Sequence, residues 1–309
     1  MDTFLHDMHW VLPLRHAWAT PIADAFTFLG YTPFFFIFMP LVYWFWDRTI
    51  FMRLALVIVI TAILNGWLKD LWQDPRPDLI FQLDHERVAD SFGRPSGHAQ
   101  VAWAMWLWLA YEIRRGWAWA LAVFIALGVS LSRLYLGVHD VDDVLTGFAL
   151  GVCGLLILGF LLGHRFDFWR HLPNAVHYLA FAVLFALLWV SWPIAKYPDG
   201  TENTLLFFVG AYTGALIDHK LMPHQPARPE WWQMIAFGFP AVLGLFAFRA
   251  LVGIAGAQLH LLPTVTSGAQ AFLVGAYVTI IIPVIFRMLG IGRKQATSAD
   301  QGIVEEEPV

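Results

Sequence analysis

The chain has 309 residues, of which 59% are hydrophobic and only 14% charged, against roughly 25% charged in an average soluble domain. A mean hydropathy of +0.60 with 16 Trp and 26 Phe excludes a disordered chain and argues against a soluble globular enzyme. The formal charge of −4 gives no footing for a nucleic-acid partner, and the lone Cys153 excludes an internal disulfide and a cysteine-based metal site.

A hydrocarbon core of roughly 30 Å takes about 20 apolar residues of helix. Apolar runs fall at about 30–46, 51–69, 98–113, 117–135, 143–163, 175–193, 203–221, 231–252 and 266–288. They predict an all-α, polytopic membrane helix bundle with about nine transmembrane helices. The runs are continuously apolar rather than alternating, which argues against a β-barrel. Residues 1–29 are expected to form an N-terminal interfacial segment. Within it, 3–20 hold Phe4, Trp10, Leu12, Leu14 and Trp18, interrupted by Asp7, Pro13 and Arg15. They read as a helix lying in the interface rather than a tenth span. Met1 to Trp10 lacks the basic residues of a signal peptide. Residues 290–309 are polar, end in Glu305-Glu306-Glu307, and read as a disordered cytoplasmic tail.

Lys and Arg placement orients the bundle. Eleven of the nineteen basic residues fall on the side holding Arg48, Arg53, Arg114 and Arg115. That side is expected to be cytoplasmic with the C-terminus, leaving the N-terminus outside. The outer side concentrates Lys69, Arg76, Arg87, Arg94 and Arg133 in two neighbouring loops, which topology alone does not require.

Those loops carry unusual chemistry. Lys69, Arg76 and Arg133 are three cations near one membrane face. Arg holds phosphate oxygens bidentately, and Lys acts as a point charge. Ser96 and Gly97 open the third run, where free N–H groups and the helix dipole favour an anion. Ser96 could both cap that helix and donate to a phosphate oxygen. Two histidines, His98 and His139, flank this cradle. Asp143 follows His139 by four residues, so on a helix its carboxylate could reach the imidazole and fix its tautomer. His98 is then available as a general acid.

The three blocks resemble the signature of the type 2 phosphatidic acid phosphatase superfamily. They are Lys69 with Arg76-Pro77, then Pro95-Ser96-Gly97-His98, then Ser132-Arg133 with His139 and Asp143. Eleven specified residues match in order and spacing, a far more specific signal than one short motif. The resemblance implies that His139 attacks phosphorus, that Asp143 orients it, and that His98 protonates the leaving group and then activates water. It implies that Lys69, Arg76, Ser96, Gly97 and Arg133 bind the phosphoryl oxygens, with no metal or other cofactor. On this reading residues 30–163 are a six-helix-type catalytic core and 164–289 accessory transmembrane helices. The layout is similar to that of glucose-6-phosphatase and of sphingosine-1-phosphate phosphatases. Asp140-Val141-Asp142 departs from the family pattern, which has an aromatic residue and proline there. The added carboxylates are expected to face solvent or to pair with Arg87 or Arg94; whether Asp142 shares the role of Asp143 is left open, and the helical i+4 spacing favours Asp143.

Taken singly, each residue has a duller account. Lys69 could snorkel from a helix end, Pro-Ser-Gly could be a helix-start turn, and either histidine could be structural. Their joint spacing favours the phosphate site. Asp84, His85 and Glu86, with His139 and Asp140, give no standard metal-ligand pattern. Trp103, Trp106 and Trp108 are expected to pack or anchor. Arg249, near the outer end of the eighth run, could snorkel or touch a lipid head group. The expected activity is hydrolysis of a phosphomonoester or pyrophosphate on a lipid: a polyprenyl pyrophosphate, phosphatidic acid, phosphatidylglycerophosphate or a sphingoid phosphate. The partners are that lipid and the bilayer, in a bacterial inner membrane, with the site on the outer side. The alternatives are transfer of the phosphoryl group to a second lipid, or non-catalytic binding of a lipid phosphate.

Overall fold

The computed structural model describes residues 5–83, 91–161, 171–193, 201–221 and 230–291. Within them the regular structure is helical. A chain in lipid must satisfy its backbone polar groups internally, and a helix does so within one segment. Each of the nine apolar runs is accordingly a helix: α2 (Thr32–Phe45), α3 (Arg48–Trp72), α4 (Gly97–Ile113), α5 (Gly116–Tyr135), α6 (Val141–Leu161), α7 (Asn174–Ser191), α8 (Thr201–Leu221), α9 (Trp231–Gln258) and α10 (Pro263–Met288). A shorter α1 (Ala19–Phe28) precedes them.

The expected count of nine spans is not reproduced. Among the described residues six helices, α3, α5, α6, α7, α9 and α10, are long and apolar enough to cross a membrane. A seventh span arises if α1 and α2, bent by 53°, are counted as one broken crossing. At 17 residues α4 is short, and α8 carries Glu202, Asp218, His219 and Lys220. The single interfacial helix expected over 3–20 is also not seen. Residues 9–14 form a 3-10 helix containing Pro13, and α1 begins only at Ala19. Proline and the intervening polar residues interrupt one continuous helix. The expected tail beyond 291, and Asp84, His85, Glu86 and Arg87, lie outside the described residues.

Helices α3, α4, α5 and α6 pack into one group, and α1 lies along α5. Helices α8, α9 and α10 form a second group, joined to the first by α2 and α3. Lipid tails are as apolar as leucine, so helices in a bilayer associate through close packing and polar links. Both are present here. On α6, a Cβ added at Gly147 or Gly151 would stand 2.6 Å from the Ser96 or Gln100 carbonyl oxygen, so α4 meets α6 backbone to backbone. Between α3 and α4, Arg53 grips Glu112 with Nη1 to the two carboxylate oxygens at 3.0 and 3.2 Å.

Between the groups, the buried Asp218 of α8 accepts from Tyr43 Oη at 2.7 Å and pairs with Arg48 at 3.0 Å. Trp44 donates its indole N–H to Val278 O at 2.7 Å. Val278 sits in a π-helical turn of α10, Tyr277–Ile281, where the regular hydrogen-bond ladder is interrupted.

Candidate active site

The site forms where the start of α4, the end of α5 and the start of α6 meet the last turn of α3. Helix α5 ends at Tyr135, and Gly137 turns the chain with φ of +68°. Only glycine adopts that conformation without strain. Here a Cβ would also collide with the Phe81 carbonyl, 1.6 Å away. The turn delivers His139 just before α6.

The start of α6 is a reciprocal cap. Asp140 Oδ1 accepts the Asp143 N–H at 2.9 Å, and Asp143 Oδ2 lies 3.4 Å from the Asp140 N. This is the capping-box arrangement with aspartate at both positions. The same Oδ2 lies 2.8 Å from His139 Nδ1. Because a carboxylate only accepts, Nδ1 carries the proton and Nε2 keeps its lone pair. Arg76 Nη1 stands 3.3 Å from that Nε2.

His139 is buried. Burial, and then the charges of Lys69, Arg76 and Arg133, push its pKa well below the usual 6.5. The lowered pKa favours the neutral imidazole, the form in which a histidine could act as a nucleophile. Burial and the neighbouring Arg133 pull Arg76 down to about 10, which leaves it cationic.

The other expected residues converge on the same place. Lys69 Nζ donates to the carbonyls of Phe92 and of Gly93, the latter at 2.9 Å. Arg76 donates to Ser91 O at 2.7 Å and Val138 O at 2.6 Å. Lys69 therefore ties the end of α3 to the loop before α4, and Arg76 ties that loop to the turn before α6. Arg133 is fully buried and donates to Thr27 Oγ1. The Ser96 N–H donates to Asp143 O at 3.0 Å, holding the start of α4 on α6.

Ser96 does not cap α4 with its side chain, contrary to expectation. Its hydroxyl is buried without a hydrogen-bond partner, and so is Nε2 of His98. A buried polar atom left unsatisfied costs free energy unless something binds it. Two such atoms beside three cations and a helix N-terminus are what a phosphate-sized anion would satisfy.

The extra carboxylates sort cleanly. Asp142 pairs with Arg94 at 2.7 Å, one of the two expected partners, and Asp143 alone holds His139. Asp140 does not face solvent. It is buried, because capping α6 fixes it inward, and it meets His6 Nδ1 at 2.6 Å.

Several neighbours were not foreseen. The ring of Tyr31 is edge-on to His98 at 4.6 Å and lies 5.9 Å from the Arg133 guanidinium. Gly30 approaches so closely that a Cβ would stand 2.4 Å from His98 Cδ2. Below the site, the buried Asn65 donates to Gln100 Oε1 at 2.8 Å and Pro95 O at 3.1 Å. Asn65 and Gln100 had one visible signal, being amides within apolar runs. Thr27, Gly30 and Tyr31 had none. Trp103 packs as expected, donating to Ser130 Oγ at 3.1 Å.

Among the described residues no cluster of three or more His, Cys, Asp or Glu is arranged to hold a metal ion.

The description of the PAP2 superfamily matches residues 50–167, the stretch that holds every residue of the three blocks. Phosphatidylglycerophosphatase B of Bacillus subtilis (strain 168) is 33% identical over 165 residues, covering 48% of this chain and 76% of the relative. Sphingosine-1-phosphate phosphatase 2 of Mus musculus is 27% identical over 198 residues, 59% of this chain and 54% of the relative. Lipid phosphate phosphatase delta of Arabidopsis thaliana is 27% identical over 217 residues, 63% of this chain and 51% of the relative. The chain therefore spans about half the length of these last two relatives. The crystal structure of a transmembrane PAP2-type phosphatidylglycerolphosphate phosphatase from Bacillus subtilis superposes with a TM-score of 0.44 at 29% identity, covering 52% of this chain and 85% of that one.

Proposed function

Because this chain belongs to the PAP2 superfamily, we propose that it is an integral membrane phosphatase that hydrolyses a phosphomonoester or diphosphate on a lipid through a phosphohistidine. The observation that carries this reading is His139, with Nδ1 on Asp143 at 2.8 Å and Nε2 turned to Arg76.

In the first step, the Nε2 lone pair forms a bond to phosphorus and the ester P–O bond breaks. The leaving oxygen takes a proton from His98. Asp143 stabilises the positive charge that develops on the imidazole. In the second step, water attacks phosphorus and passes a proton to His98, and the N–P bond breaks to release phosphate and restore His139. Lys69, Arg76 and Arg133, with the hydroxyl of Ser96 and the N–H at Gly97, hold the phosphoryl oxygens as their charge redistributes. The placement of Lys and Arg supports an orientation with the site on the non-cytoplasmic side. A lipid can present its head group there without leaving the bilayer.

Phosphate release from a panel of lipid phosphates by the purified protein tests this reading. Turnover by the wild type, its loss in His139→Ala with the fold retained, inhibition by orthovanadate and indifference to EDTA are the expected results. Turnover that survives in His139→Ala would remove the phosphohistidine. Inactivation by EDTA would replace the cation cradle with a metal.

A further inference from the structure

The two imidazoles of the site are backed differently. His98 borders a cavity of about 480 Å3 that Asn203 of α8, Arg249 of α9 and Gln270 of α10 also line. His139 is backed instead by the first residues of the chain. The Val141 N–H, in the first turn of α6, donates to Leu5 O at 3.1 Å, which satisfies one of the N–H groups that a helix start leaves open. Met8 and Val11, each 1% exposed, close over Phe81. Trp10 packs against Ala99 of α4, Leu134 of α5 and Val144 of α6. Residues 5–11 thus form a strap folded onto the turn that carries His139.

The strap brings a partner to a buried charge. Asp140 Oδ1 accepts the Asp143 N–H, and Asp140 Oδ2 lies 2.6 Å from His6 Nδ1. The carboxylate is 7% exposed and the imidazole 51%, so the acid sits inside and its partner reaches it from outside. A buried carboxylate is costly without a counter-charge, and His6 is the cation paired with Asp140 among the described residues. Asp140 is also one of the carboxylates by which this chain departs from the family pattern. Placed so near Asp143, its charge opposes the charge that orients His139. A protonated His6 offsets it.

The carboxylates around His6 favour that proton. Asp140 and Asp142 face it from α6, and Asp74 faces it from the loop after α3. Asp142 is itself paired with Arg94 at 2.7 Å, and on the strap Asp7 is held by His9. The hydrogen bond to Asp140 is the main cause of a His6 pKa above the usual 6.5. Partial burial opposes it, and the charges of Asp140, Asp142 and Asp74 add to it. A histidine so raised is charged at lower pH and loses its charge as pH climbs through the raised value.

We propose that His6 is a positioning residue of this site: its imidazolium, held on Asp140, neutralises that carboxylate and leaves Asp143 charged to orient His139. This rests on the phosphatase reading above and adds to it a group from outside the three blocks. Turnover is supported by protonated His6 and weakens as His6 loses its proton.

The test is the pH profile of phosphate release by the full chain. Phosphatidic acid, phosphatidylglycerophosphate, sphingosine 1-phosphate and a polyprenyl diphosphate are offered in mixed micelles, and the lipid turned over fastest is kept. The ratio of wild type to variant is read, because the substrate's own phosphate also titrates. Below pH 6.5, His6→Gln is expected to cut kcat about tenfold with KM little changed, and to approach the wild type as pH rises past the His6 pKa. His6→Lys, whose ammonium keeps its charge, is expected to hold its activity at the alkaline end, where the wild type declines. In an Asp140→Asn background His6→Gln is expected to add nothing. A ratio constant across pH, or an undiminished effect of His6→Gln in Asp140→Asn, would make His6 a mere tether and overturn the inference while phosphate release upheld the phosphatase. An imidazole NMR titration reads the contact apart from activity. The His6 signal, assigned with His6→Gln, is expected to titrate above 6.5 in the wild type and to fall back toward 6.5 in Asp140→Asn. The same midpoint in both would also overturn the inference. No release from any of the lipids would remove both readings.

Discussion

At the scale of single residues, the site works by holding two imidazoles in different hands. His139 is locked by Asp143 on one nitrogen and kept neutral by burial and three cations. A base whose pKa is lowered keeps its unprotonated form as pH falls through 6.5, where an ordinary histidine is half charged. An imidazole NMR titration of the free protein, assigned with His139→Gln, should find His139 still neutral at pH 6.5. Half-protonation at or above that pH would mean the cations are screened from it. Burial and the same three cations lower the His98 pKa too, and His98 depends besides on space. Since a Cβ at Gly30 would stand 2.4 Å from its ring, Gly30→Ala should displace the ring and lower kcat at least tenfold, about 1.4 kcal/mol of barrier, with the thermal midpoint little changed. Unchanged kcat would mean His98 has room to move. The motif residues were legible beforehand because their spacing is short and each block is local. Tyr31, Gly30 and Thr27 were not, since they reach the site across the α1–α2 corner, and no spacing in the sequence encodes that approach. His6 on Asp140 was hidden for the same reason.

At the scale of elements, the placement of the proposed catalytic groups depends on how closely α4 and α6 approach. Gly147 and Gly151 lie one turn apart and face the carbonyls of Ser96 and Gln100, the small-residue contact that suits helices in lipid. Gly151→Leu should push α4 outward and separate His98 from His139. The expected result is at least a tenfold loss of phosphate release and a lower thermal midpoint. Gly154 is the control, because a Cβ there meets nothing within 4 Å. If Gly154→Leu is as damaging as Gly151→Leu, the close approach is not the cause. Every apolar run proved to be a helix, since hydropathy reports directly on segments that must bond their own backbone. The number of crossings was less legible. The run at 98–113 already carried the shortness of α4, but hydropathy does not tell that α1 and α2 bend by 53°, because that depends on what the helices pack against.

At the scale of the whole molecule, two helix groups are joined through α2 and α3, and the joint is polar. Asp218 is buried and holds both Tyr43 and Arg48. Removing one member of such a pair strands the other, at about 3 kcal/mol or more. Asp218→Ala should therefore lower the unfolding free energy in detergent by about that much, and Asp218→Asn, which can still accept from Tyr43, by less. Equal effects of the two would assign the stability to charge alone. The cavity beside His98 has a further consequence. Its one wall belongs to the helices around the proposed phosphate site, and its other wall to α8, α9 and α10. Substitutions in those three helices can reshape what the cavity admits while every residue around His139 stays as it is. A lineage built on this plan can change its diet without relearning how to break the bond.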